Sequence, residues 1–582
     1  MFTQLIGAGE YFIGTFWAFV PAIIAIVLAL ITKQVYLSLF AGIFAGAMFL
    51  SDGNPLDALT KLFETMGTQL GENGGILIFL VVLGIFAVIM VKSGGSQAYG
   101  EWASRKIKTK TGAQLATIGL GCLIFVDDYF NCLTVGNAMR PVTDKAKLSH
   151  AKLAYLIDST AAPVCIIAPI SSWAAAVTGF IGSDSQGLVD FIKTIPFNMY
   201  ALFTIAMMIL FAVLKLDLFK MKKNEKAAEN GDLYAGETDL PTEDIKVDGN
   251  KKGKVSSLLF PIITLIVCCV GSMYYNGYRA GYPKFIEAFA NCDSGISLAV
   301  GSVIALIITV IFYAATKRLS FKECMESLTE GFKSMVPAIL ILTFAWTLCA
   351  LMGAKAQPGS LNAREFIQTV FGYDEVTGAT NTTMAMGIIP AIFFIIACLI
   401  SFATGTSWGT FGTLIPISLC ILGQANPSLM YLSMSAVLAG AVYGDHVSPI
   451  SDTTIMASTG ARCNHLDHVR TQMPYATIVA VMCFIVYIAM GFVAANLSYG
   501  ATVGITLAMG VVMLALFVTA VYFLDKKGVL DKMTDKLSLA FAKVTGKTKR
   551  SLSDTIQGGS EVSDLIDDMK KKNEDSSDTE EK

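Results

Sequence analysis

The sequence predicts an all-α polytopic membrane protein with an internal repeat and broken helices. Three observations carry that expectation. Of 582 residues, 54% are hydrophobic and only 15% charged, against about 25% charged in an ordinary soluble domain. Apolar runs close to the roughly 20 residues that a helix needs to cross a bilayer recur along the chain. Polar, Pro- and Gly-containing breaks interrupt two apolar segments in each half, in the same order.

In chain order, the continuous runs are 17–32, 35–51, 75–92, 197–214, 256–274, 296–315, 335–353, 385–400, 474–495 and 502–524. Between them lie the less regular segments 114–136, 155–182, 402–422 and 431–460, with Asp, Gly, Pro, Ser and Thr at membrane depth. Together they read as about twelve to fourteen crossings, broken or re-entrant ones included. Met1 to Tyr11 has no basic region before the first run, so that run reads as a retained helix rather than a cleaved signal. Lys and Arg gather at Lys33, Arg105 to Lys110, Lys215 to Lys226, Lys317 and Arg318, and from Lys526 onward. Loops near Asp52, Asp184 and Asp190 carry few of them. The positive-inside rule then places the 215–254 loop and the C-terminal tail in the cytoplasm, and the N-terminus outside.

These features divide the chain into a first membrane half (1–218), a cytoplasmic linker (219–254), a second membrane half (255–525) and a cytoplasmic tail (526–582). The linker is rich in Lys, Glu, Asp and Gly, with little to bury, and reads as mobile. In the tail, 531–545 is amphipathic and the acidic end reads as disordered. With no long basic block, nucleic acid is not an expected partner. The twelve cysteines sit mostly in apolar stretches, where Cys behaves as a small hydrophobe.

The informative residues are polar ones within apolar segments. The first half has Phe125-Val126-Asp127-Asp128-Tyr129-Phe130-Asn131, with Thr134 beyond it, then Asp158-Ser159-Thr160-Ala161-Ala162-Pro163 and Ala168-Pro169-Ile170-Ser171-Ser172. The second half has Phe402-Ala403-Thr404-Gly405-Thr406-Ser407-Trp408, then Gly444-Asp445-His446-Val447-Ser448-Pro449-Ile450-Ser451-Asp452-Thr453-Thr454. In each, a polar break follows a Phe and an Asp opens a second break further on. This alignment sets Asp158 against Asp445 and Pro163 against Pro449. Corresponding interrupted segments in two halves point to a repeat carrier with its site at the midplane.

A carboxylate at the bilayer centre costs about 3 kcal/mol or more, so it is used, paired or protonated. Carboxylate, hydroxyl and freed carbonyl oxygens together suit a small hard cation. Candidate ligands for transported sodium are Asp127, Asp158, Asp445 and Asp452. Asp128, Asn131, Ser159, Thr404, Thr406, Ser407, Ser448, Ser451 and Thr453 complete the expected ion- or substrate-binding set. A buried aspartate that releases its proton when sodium arrives exchanges the two ions at one carboxylate. The competing reading makes these aspartates helix caps or partners of Arg140. No resident cofactor is expected; sodium and protons are cargo.

The run Gly444 to Thr454, with Phe125 to Asn131, resembles the NhaC family of sodium/proton antiporters within the wider ion-transporter superfamily. The resemblance covers about residues 15 to 525. It implies two inverted repeats, each giving a re-entrant hairpin to a transport domain beside a scaffold, with elevator-like movement, and dimers. Members differ in substrate, some coupling sodium and protons to organic acids and others taking up amino acids. His446 and Val447 follow Asp445 here, where several antiporters of the family have a Lys.

Other features weigh less. Cys463-Asn464-His465-Leu466-Asp467-His468 has metal-like composition but reads as a cytoplasmic loop. His446, His465 and His468 can sense pH near neutrality. Trp173 and Trp408 read as packing residues, or as an aromatic wall if the solute is organic. There is no GxxxxGK[ST] loop for an ATP-driven pump and no catalytic His or Cys pairing, so the chain does not read as an enzyme. The alternatives are a sodium- or proton-coupled amino-acid or organic-acid carrier, and a passive channel.

Overall fold

A computed structural model of the protein describes residues 11–32, 34–181, 185–236, 253–353, 359–363, 365–366, 384–422, 427–494, 497–530 and 532. Their regular elements are all helices. The chain forms two compact units, Met1–Thr519 and Ala520–Lys582. The first holds every feature discussed below. Of the second, the end of the helix Tyr499–Lys526 and a few residues beyond it are described. The amphipathic stretch expected at 531–545 and the acidic end lie outside the described residues, Lys532 excepted.

Among the described residues, six helices are long and apolar enough to cross a membrane, or nine if three bent pairs each count as one span. Three shorter apolar helices are Phe16–Ala29, Ser172–Ile181 and Ile389–Thr404. The apolar runs read as separate crossings thus resolve into straight, bent and short helices. The sharpest bend, 115° between Tyr36–Leu50 and Pro55–Glu72, has a local cause. Asp52 and Gly53 take positive φ, Asn54 caps the next helix through Leu56 N–H, and Pro55 occupies its first position. The 43° bend in Phe321–Met352 falls at Pro337, where a helix loses a donor and meets a ring clash.

Ten helices frame the site. In the first half they are α1 (Lys110–Leu123), α2 (Asp128–Lys145), α3 (His150–Cys165) and α4 (Ser172–Ile181), followed by α5 (Phe219–Glu229). In the second they are α6 (Ile389–Thr404), α7 (Ser407–Leu422), α8 (Pro427–Val447), α9 (Asp452–Ala461) and α10 (His465–Ala494). The sets α1–α4 and α6–α9 share one plan: a helix, a break, two helices, a break, a short helix. Every residue of α3 is buried, as is 89% of the apolar stretch of α8, against 39% in the peripheral span Ser256–Arg279. These two helices, each leading into the second break of its repeat, therefore lie in the protein's interior. At Gly440 a Cβ would stand 2.5 Å from Phe394 O, so only glycine lets α8 lie this close to α6.

The two repeats fold with matching hydrogen bonds. In the first, Ser172 N–H donates to Val126 O at 2.8 Å; in the second, Asp452 N–H donates to Gly405 O at 3.3 Å. Each bond ties the first break of a repeat to the start of its last short helix. The preceding serines cap those helices alike: Ser171 Oγ accepts from Ala174 N–H at 3.0 Å and Ser451 Oγ from Thr454 N–H at 3.1 Å. This corrects the register expected from sequence. Ala168-Pro169-Ile170-Ser171-Ser172 matches Ser448-Pro449-Ile450-Ser451-Asp452, so Pro169, not Pro163, corresponds to Pro449. Pro163 lies inside α3. Asp158 and Asp445 are then not repeat partners, because Asp158 sits two turns further back along its helix.

Across the repeats, the start of α2 meets the start of α9, and the start of α4 meets that of α7: Tyr129 touches Asp452, and the Trp173 and Trp408 rings lie 5.7 Å apart. This crossed pairing is what an approximate two-fold relation between the halves produces, and the architecture is one of two inverted repeats with broken helices.

The expectation of a mobile linker fails over its first part. Residues 219–229 form α5, with Met221 and Ala228 fully buried and Asn224 and Glu225 nearly so. Composition signalled solvation, but the buried polar groups have partners: Glu225 accepts from Ser149 N–H and Oγ at 2.9 and 2.6 Å and pairs with Lys110 at 2.7 Å. Residues 237–252 lie outside the described residues.

Candidate functional site

The site lies where the breaks converge. Asp127 is in extended conformation, and its Oδ1 accepts from Phe130 N–H at 2.9 Å, capping α2. Asp128 follows, its Oδ1 accepting from Tyr129 N–H at 3.1 Å. Both carboxylates thus stand at a helix start, where the dipole favours negative charge. Asn131, one turn on, donates to Gly121 O and Ile124 O at 2.8 and 2.9 Å, closing the break beneath them.

Three donors converge on one oxygen of Asp158, on α3: Gln472 Nε2 at 2.6 Å, Thr454 Oγ1 at 3.0 Å and His468 Nε2 at 3.3 Å. Asp445, near the end of α8, accepts from Thr453 Oγ1 at 2.7 Å. Asp452, at the start of α9, accepts from Tyr129 OH at 2.6 Å and from Thr453 N–H at 2.9 Å. Thr454 Oγ1 also approaches Asp445 O at 3.4 Å. A continuous polar chain therefore runs Tyr129, Asp452, Thr453, Asp445, Thr454, Asp158, His468 and Gln472, linking helices from both repeats. The structure brings together Asp158, Asp445, Asp452, Thr453 and Ser451, and sets Asp127, Asp128 and Asn131 beside them through Tyr129.

Asp127, Asp128, Asp158 and Asp445 each have one buried carboxylate oxygen with no protein partner, as do Asn131 Oδ1, Thr134 Oγ1 and Thr406 Oγ1. Buried acceptors are normally satisfied. Among the described residues none of the five aspartates forms an ion pair with Lys or Arg; their basic contact is His468 on Asp158. The Arg140 pairing weighed from sequence is not formed. Capping holds for Asp127, yet it occupies one of that residue's two oxygens. Among the described residues no group of three or more His, Cys, Asp or Glu is gathered to hold a metal ion. The carboxylates are strung along the junction, and a cation there would draw its remaining ligands from hydroxyl and carbonyl oxygens.

Several expected ligands turn inward to the backbone. Thr404 Oγ1 donates to Ile400 O at 2.8 Å, Ser407 Oγ to Ala441 O at 3.3 Å and Ser448 Oγ to Phe402 O at 2.9 Å. They hold the breaks in shape. Ser159 is buried on α3 beside Asp158. His446 is fully buried, its Nδ1 2.9 Å from Tyr200 OH.

Sequence reasoning did not place Tyr129, Thr454 or Gln472 in the site, and it misplaced His468. The stretch Cys463 to His468, expected as a cytoplasmic loop, leads into α10, and His468 is fully buried against Asp158. The available signal was spacing: His468 and Gln472 are four apart and share one helical face.

A family model described as the Na+/H+ antiporter family matches residues 164–492. The chain is 38% identical over 516 residues to a protein of Haemophilus influenzae named only as uncharacterised, covering 85% of this chain and 95% of that one. It is 30% identical over 177 residues to the malate-2H(+)/Na(+)-lactate antiporter of Bacillus subtilis, covering 30% of this chain and 34% of that one. It is 38% identical over 111 residues to the arginine/ornithine antiporter ArcD of Halobacterium salinarum, covering 18% and 23%. The family match takes in three of the four breaks, and the apolar helices around them make a multi-pass membrane protein. The chain belongs to the Na+/H+ antiporter family, and its inverted repeats of broken helices are the frame of a secondary transporter.

Proposed function

We propose that this protein exchanges sodium for protons through the aspartates at the helix breaks. One observation carries the reading: four buried carboxylates, Asp127, Asp128, Asp158 and Asp445, each keep an oxygen free of protein partners. Four such groups at the crossing of two repeats are too costly to be structural only. A sodium ion arriving there takes carboxylate and hydroxyl oxygens; a proton satisfies the same oxygens when sodium leaves. Asp452, held by Tyr129, joins the two carboxylate groups. The ions are cargo, and no resident cofactor or catalytic step belongs to this reading. The protein resides in the cell membrane with the linker and C-terminus cytoplasmic, and its partners are lipid and a second copy of the chain rather than nucleic acid.

A second reading, coupling to an organic solute, draws on the aromatic wall. Trp173, Trp408 and Phe411 pack mutually at 5.0–5.7 Å, with both indole N–H groups buried and unpartnered. Indole donors beside carboxylates suit a solute that carries both charges. Purified protein in proteoliposomes separates the readings. An imposed sodium gradient drives proton movement by itself if the first is right. A requirement for added malate, lactate or amino acid favours the second, and independent dissipation of each gradient would sink both.

A further inference from the structure

Helix α5, outside the repeats, grips the two helices that meet at Asp158. On α3, Glu225 holds the capping residue Ser149 through two hydrogen bonds. On α10, the nearly buried Asp467 accepts from Asn224 Nδ2 at 2.8 Å and pairs with Lys220. Asp467 directly precedes His468, whose ring reaches Asp158 at 3.3 Å; Gln472, one turn on, reaches the same oxygen at 2.6 Å. Asn224 and Glu225 are neighbours in sequence, so one turn of the linker fixes the first turn of α10 against the first turn of α3. The distance between the carboxylate of Asp158 and two of its three donors depends on that alignment.

We infer that Lys220 and Asn224 are positioning residues for the exchange site: by anchoring Asp467 they hold His468 and Gln472 on Asp158. This rests on the proposed role of Asp158 in transport. It adds that a segment outside the membrane core sets the ion affinity of a group inside it. Asn224 and Asp467 are polar and buried at the contact, with the half-exposed Lys220 closing it from the rim, so the anchor is directional, whereas an apolar patch would let α10 slide or turn.

The test uses the full chain in proteoliposomes. Asn224→Ala and Lys220→Met are each expected to raise the sodium concentration for half-maximal proton flux about three- to tenfold, less than direct loss of a charged hydrogen bond at the site because they act through His468 and Gln472, with Lys220→Arg restoring most of it. In a His468→Ala, Gln472→Ala background the Asn224→Ala effect should vanish, since the groups it positions are gone. The same fold-change in that background, or a fall in maximal rate with sodium dependence unaltered, overturns the inference. Hydrogen exchange of 465–472 decides it without transport: Asn224→Ala should speed exchange there, and unchanged exchange would refute the anchor. Wild-type protein that moves no protons in a sodium gradient would defeat the exchange reading alone, leaving the exchange-rate result to judge the anchor.

Discussion

Tyr129 and Asp452, 323 residues apart, are joined by a 2.6 Å hydrogen bond from the phenol to the carboxylate. It ties the first broken helix of one repeat to the last short helix of the other. Replacing Tyr129 with Phe removes the hydroxyl and keeps the ring. A hydrogen bond to a charged group contributes about 1.5–3 kcal/mol, so sodium affinity or exchange rate should fall about tenfold or more. Sodium-driven proton flux measures this; a wild-type rate and affinity would show that the bond has no part in transport.

Asp445 accepts from Thr453 Oγ1 at 2.7 Å, and one of its oxygens has no close protein partner. Asp445→Asn keeps the shape and removes the exchangeable charge. Sodium-driven proton movement should drop to the level of empty liposomes, while the melting temperature of the purified protein stays equal or rises, since a buried charge is gone. Retained exchange would remove Asp445 from the ion path.

Gly405 has φ +68 and leaves only 2.4 Å between a built Cβ and Ile450 O. It ends α6 where the two breaks of the second repeat touch. Gly405→Ala should destabilise the protein by about 1–3 kcal/mol, from backbone strain alone, and lower the melting temperature. Gly271, with nothing within 4 Å of its Cβ position, lies in the helix Ser256–Arg279 and should tolerate Ala without loss. Equal melting temperatures for the two variants would contradict the crowding at the break.

Glu225 on α5 gives a pH dependence. Burial, with Asp217 nearby, pushes its carboxyl above the ordinary glutamate range, and Lys110 opposes this without reversing it. A carboxyl whose pKa rises on docking holds its proton more tightly in the docked state. Its contribution is therefore complete below the ordinary glutamate pKa and declines as pH climbs through the raised value. After correction for intrinsic rates, amide exchange across 219–236 should quicken over that interval in the wild type and stay level in Glu225→Gln. The same pH dependence in both proteins would assign the effect elsewhere.

The sequence by itself determined the solvent, most of the apolar helices and the positions of the breaks. Apolar run length, the serine and aspartate caps, and Pro and Gly act within a few residues, so they are legible in one dimension. The same local logic picked out all five aspartates, because a charge within an apolar run needs no neighbour to be conspicuous. It does not set the repeat register, because the conspicuous charges Asp158 and Asp445 suggest one alignment while the backbone bonds match Pro169-Ile170-Ser171 with Pro449-Ile450-Ser451. It also left the partners unseen. His468 and Gln472 reach Asp158 across 310 and 314 residues, and α5 docks through charges that composition counts as solvated. Only the tertiary structure decided which carboxylate oxygens are satisfied and which stay open, since that depends on where distant helices pack and not on what each residue prefers alone.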